Sequence, residues 1–135
     1  MKASISFPEL QDIIAESAKQ NINLDFVDDK TIHVSTCLSL GFIKKNVDVN
    51  LRIIDLTGSD LLVSYSGGFG LESVVGMALN LFKDKLPAGL IDNRGNGQLM
   101  IHLGQIEQVK GVFDKIDVRD INVLTEGVQV EGRLK

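Results

Sequence analysis

Two histidines, a single cysteine and a cluster of glycines are the residues of this 135-residue chain whose types and spacing could do chemistry. His33 and His102 each fall mid-strand on the polar parity of an alternating run. A metal centre needs more ligands than these at ordered spacing, so no metal site is expected. Cys37 stands four residues from His33 on the same strand face. Along an extended strand that is about 13 Å, too far for a base to hydrogen-bond a nucleophile, and the thiol reads as inert. Asp28-Asp29 belongs to a turn, and Asp114, Asp117 and Asp120 surround a helix-to-strand junction. Neither group has a calcium-loop or glycosidase context, so both read as solvated surface. The run Gly67-Gly68-Phe69-Gly70 leads from a strand into a helix. Backbone N–H groups at such a junction can hold an anion, which makes Gly67, Gly68 and Gly70 candidate anion-binding residues. No Lys-Ser or Lys-Thr follows, and Ser73 stands where a dinucleotide motif wants Gly or Ala. The alternative is a tight corner that needs glycine's backbone freedom. No catalytic residue is assigned, no cofactor is implied, and an enzyme is the last-ranked reading.

The elements that must position these residues are read from periodicity. Ser6 and Glu9 have capping-box spacing, Pro8 sits in the first turn, and Ile5 and Leu10 stand as a hydrophobic staple. Leu10, Ile13 and Ile14 continue a helical stripe, so a helix is predicted over about residues 7–20. Ile22, Leu24 and Phe26 alternate, Asp28-Asp29-Lys30 is a turn, and Ile32, Val34, Thr36 and Leu38 share one face. Val47, Val49, Leu51 and Ile53 alternate until Ile53-Ile54 breaks phase, which predicts a β-bulge. Leu61, Val63 and Tyr65 complete an antiparallel meander with one polar face. A second helix is expected over about 71–86, stopped by Pro87 and Gly89. Residues 93–97 read as a turn cluster, Leu99, Ile101 and Leu103 as a strand, and 106–116 as a short helix containing Gly111. Two final strands, 118–124 and 128–134, flank Glu126-Gly127 as a two-residue hairpin. The fold expected is α+β: one domain, residues 1–135, with a long twisted antiparallel sheet wrapped around two main helices, a short third helix and a C-terminal hairpin.

Composition narrows function. The hydrophobic fraction is 44%, enough for one core, and the net charge is −4 with no Trp and one Tyr. No basic face or stacking platform is evident, so nucleic acid is not an expected partner. One cysteine excludes an intramolecular disulfide. The first residues lack the long apolar run of a signal peptide, and no stretch nears the roughly 20 apolar residues of a transmembrane helix. These features give a cytoplasmic expectation.

The second helix is the most informative element. Leu71, Val74, Val75, Met77, Ala78, Leu79, Leu81, Phe82 and Leu86 occupy an arc of roughly 200°, where an ordinary surface helix needs about 100°. A sheet curled around the helix would absorb the surplus, as would a ligand groove or a subunit interface. Val74, Val75, Met77, Ala78, Leu81 and Phe82 are therefore the candidate ligand-binding residues. Two readings lead: a small binding module for an apolar or lipid-like ligand, and a non-enzymatic interaction protein forming a homodimer.

Ser6-Phe-Pro-Glu-Leu10, the alternating runs across 31–56, and Ser66-Gly-Gly-Phe-Gly-Leu71 entering the helix follow one order. Over about residues 5–86 this order resembles one half of the tubular lipid-binding superfamily, which includes the bactericidal/permeability-increasing proteins. The resemblance implies a long curved sheet wrapping a helix, with apolar chains in the groove between them. It carries over no individual residue.

Overall fold

The computed structural model describes residues 1–18, 20–40, 42–68 and 70–135, with the backbone alone at 17, 18, 40, 43, 81, 82 and 108. The chain is α+β, and its strands divide into two antiparallel sheets. The larger contains β2 (Ile22–Asp28), β3 (Thr31–Leu40), β4 (Ile43–Thr57), β5 (Asp60–Gly67), β6 (Ile91–Gly95) and β7 (Gln98–His102), ordered β2-β3-β4-β5-β7-β6. The smaller is β1 (Lys2–Ser6), β9 (Gly127–Leu134) and β8 (Ile116–Leu124), in that order. Three helices connect them: α1 (Phe7–Ala18), α2 (Leu71–Phe82) and α3 (Glu107–Lys115).

The local signals behave as their chemistry predicts. Glu9 Oε1 accepts from the Ser6 N–H at 3.2 Å and the Ser6 hydroxyl at 2.9 Å, while Ser6 Oγ accepts the Glu9 N–H at 3.2 Å. This capping box opens α1. Lys30 N–H closes the β2–β3 turn onto Asp28 Oδ1 at 2.9 Å. The register of β4 against β5 shifts between Ile53 and Asp55, a bulge where the apolar phase breaks.

Four sequence expectations are corrected, and one element is added. Residues 2–6 form β1, a strand without a local alternation signal, because its partner β9 lies at the far end of the chain. The cluster at 93–97 is mostly strand, since β6 runs to Gly95 and is an edge strand tolerant of Asn, Arg and Gly. Its turn shrinks to Asn96-Gly97, both at positive φ (55° and 76°), the pair a tight two-residue hairpin turn requires. Helix α2 ends at Phe82, and Gly89 at φ 74° redirects the chain while Leu90 N–H donates to the Pro87 carbonyl. Leu103 leaves the strand for a 3-10 turn over Leu103–Gln105, its N–H donating to the Ser59 carbonyl. The last hairpin turns at Thr125-Glu126, one residue earlier than predicted. Gly127 instead sits in β9 opposite Ser6, where a Cβ would run into the Ile5 carbonyl and the Ser6 Cα.

Both main helices lie on the same face of the large sheet. Phe7 at the start of α1, Leu24 and Val123 form one buried cluster, joined by Leu10, Ile32, Val34, Ile53 and Val128. Val63, Tyr65 and Leu99 form a second, on which Leu71, Val75 and Leu79 of α2 pack at helical spacing. Ile53 belongs to both clusters, so one apolar layer runs under the two helices. The two sheets are fastened at the β2–β3 turn. Val123 N–H donates to the Asp29 carbonyl, and Lys30 Nζ donates to Asp120 Oδ1 (2.8 Å) and the Ile121 carbonyl (2.7 Å).

Candidate functional site

The opposite face of the large sheet is open, and the potentially reactive side chains stand on it. His33 Nδ1 is 2.8 Å from Asn50 Oδ1, and its Nε2 is 3.1 Å from Asp48 Oδ1. Two oxygen partners favour the doubly protonated ring. The Asn50 hydrogen bond raises the His33 pKa most; burial opposes it, and Asp48 and Asp25 add to the rise. A ring donating at both nitrogens has no lone pair for a nucleophile's proton. His102 Nδ1 lies 2.7 Å from Asp60 Oδ1 across the β5–β7 pairing, and the next row on that face is Leu62 and Met100, which offer no hydroxyl or thiol. Cys37 is exposed, opposite Asn46. Among the described residues no group of three His, Cys, Asp or Glu side chains is arranged to hold a metal ion.

The glycine corner has backbone reasons for its composition. A Cβ at Gly67 would stand 2.9 Å from the Asp48 carbonyl and from Leu71 Cδ2, so glycine lets α2 approach β4. Gly70 caps α2 at φ 76°, ψ 11°, in the left-handed region. Gly68 has open space around it, and Phe69 lies outside the described residues. Among the described residues no side chain hydrogen-bonds at the cap of α2.

Helix α2 divides the candidate ligand-binding residues. Val75 packs on the second cluster, Val74 is buried, Ala78 is half-buried, and Met77 points outward with 46% of its surface exposed. The side chains of Leu81 and Phe82 lie outside the described residues. Tyr65, beneath α2, has its hydroxyl pKa raised by burial and then by the charge of Glu72. A cavity of about 350 Å³ lies elsewhere, between the β4–β5 turn and α3. Ser59, Phe113, Lys110, Lys135, Asp114 and Asp117 line it, a balanced mixture of charges.

One feature of the open face was not anticipated from the sequence. Leu62 pairs with Met100 on one side and with Asp55 on the other, and Ile54, in the bulge between Ile53 and Asp55, has 48% of its surface exposed. These three form an apolar row across β4, β5 and β7. One side of it carries Asp60 and His102, the other Arg52, Ser64 and Gln98, and Asp55 stands in the row itself opposite Leu62. The signal was present as Ile53-Ile54, Leu61-Leu62-Val63 and Leu99-Met100-Ile101. In each strand an apolar residue occupies the parity that should face water.

The edges of the end strands are guarded, while β3 past Thr36 and β4 before Val49 have no outer neighbour among the described residues. Gln11 Oε1 accepts the Leu24 N–H of β2 at 2.9 Å, and β2 is also bulged between Phe26 and Asp28. Strands β6 and β8 carry bulges at Asn93/Gly95 and Val118/Asp120, and β1 is five residues long and begins with Lys2. Such devices discourage edge-to-edge pairing.

No family model matches the chain, and no curated protein or solved structure matches it either. The likeness to the tubular lipid-binding superfamily thus rests on sequence pattern alone. Among the described residues no helix is long and apolar enough to cross a membrane.

Proposed function

We propose that this chain is a non-enzymatic interaction module that pairs with a second copy of itself through the open face of its large sheet. The observation that carries the reading is exposed Ile54 beside the partly buried pair Leu62–Met100 on a face otherwise built largely of polar side chains. Water contact with such a row is unfavourable, and covering it is the usual source of association energy. The flanking charges suit a two-fold arrangement. An axis along the row lays it on itself and brings Arg52 of each copy toward the Asp60 side of the other. His33, engaged with oxygen partners at both ring nitrogens, supports a non-catalytic role.

A second reading, binding of an apolar or lipid-like ligand beside α2, is favoured by Met77, which stands exposed while the other described apolar side chains of the helix are buried or half-buried. Native mass spectrometry separates the two. A dimer is expected at high micromolar concentration, and Ile54→Lys, an exposed position, converts it to monomer. A wild-type monomer under those conditions sinks the dimer reading. An apolar adduct that is lost on denaturation would transfer the assignment to the second.

A further inference from the structure

Strands β3 and β4 extend past both neighbours. The β2 pairing with β3 stops at Thr36, and the β5 pairing with β4 begins at Val49. Beyond these points, from Cys37 to Asp48, the two strands pair only with each other; Leu38 is still buried at 2% exposure and Gln20 Nε2 donates to the Cys37 carbonyl, so this arm stands free only toward its tip. At its tip Phe42 is fully exposed, at 109% of its reference surface. Lys44 and Lys45 follow, both exposed and without an ion pair among the described residues. Residues 37–48 contain these two lysines and a single acid, Asp48 at the base of the arm, within a chain of net charge −4.

We propose that this tip docks the protein on an anionic lipid surface. Successive residues of a strand point to opposite faces, so Lys44, opposite Ser39, and Lys45, opposite Leu38, place one ammonium on each side of the arm. A ring of the size of Phe42 at the apex between them enters the acyl boundary while the lysines stay at the headgroups. A charge on both sides of a protruding tip fits a flat surface met end-on. A protein pocket would require polarity matched on one face, and a nucleic acid would need a longer basic track. Two lysines and one aromatic ring give weak, salt-sensitive attachment. The surface lies outside the row proposed for self-association, so either proposal can fail alone.

The test is co-sedimentation of the full chain with vesicles of phosphatidylserine and phosphatidylcholine, against vesicles of phosphatidylcholine alone, at low and raised ionic strength. Binding is expected only to the anionic vesicles and is lost with salt. Phe42→Ser weakens it roughly tenfold or more, and Lys44→Ser with Lys45→Ser by roughly tenfold or more. Circular dichroism and the unfolding midpoint of each variant stay at wild-type values, because no core contact is removed. Absence of binding to anionic vesicles, equal binding to neutral ones, or variants that bind like wild type each overturn the proposal.

Discussion

His33 finds both oxygen partners on one neighbouring strand, so its protonation is tied to the pairing of β3 with β4. Its pKa is raised chiefly by the Asn50 hydrogen bond. A raised folded pKa means that the protonated form is favoured by folding. The resulting stability is complete below the ordinary histidine value and is lost as pH rises through the higher folded value. Urea midpoints measured from neutral to mildly alkaline pH should therefore fall for the wild type. His33→Gln should flatten that part of the profile, and an unchanged slope would assign it to other groups. The same interactions were invisible in sequence, where His33 was one polar residue in an alternating run and Asn50 lay on a strand of unknown register.

At the scale of elements, two glycines predict opposite outcomes. Gly127 stands where β1 crosses close to β9, and a Cβ there meets backbone that cannot swing aside. Gly127→Ala should lower stability by about 1–3 kcal/mol. Gly76, in the middle of α2, has nothing within 4 Å of an added Cβ and no positive φ. Gly76→Ala should raise stability by about 1 kcal/mol, since alanine is the better helix former. Both are read from denaturant midpoints, and equal signs would contradict the packing described. The elements themselves were largely legible because their determinants are local. The Ser6–Glu9 box, the Asp28–Lys30 turn and the Ile53–Ile54 bulge each act within a few residues. The misses share the opposite property. Strand β1 needs β9, and β6 exists because β7 returns beside it. The apolar row is a register fact, found only when Leu62 is placed opposite Met100.

At the scale of the whole molecule, the junction of the two sheets depends on one partly exposed lysine. Lys30 donates to Asp120 and to the Ile121 carbonyl, and Asp120 has its pKa lowered first by Lys30 and then by Asn122. A depressed carboxylate pKa gives stability above the unfolded value that is lost as pH falls through the folded one. Lys30→Met removes two charge-assisted hydrogen bonds and should lower stability by about 1–2 kcal/mol at neutral pH, with a smaller loss in acid. Chemical unfolding at both pH values checks this, and an equal loss at both would exclude Asp120 as the partner that matters.

The pairing of β1 with β9 also sets a timetable. Every strand of the large sheet has been synthesised once His102 is added, yet the Val123 and Val128 side chains that meet Phe7, Leu24 and Ile32 come later in the chain. During synthesis an apolar face waits without its cover, and closing the chain's ends is the slow, long-range step. A nascent or refolding molecule should therefore depend on temporary shielding at that face, and crowding or high concentration during refolding is when it is most exposed to aggregation.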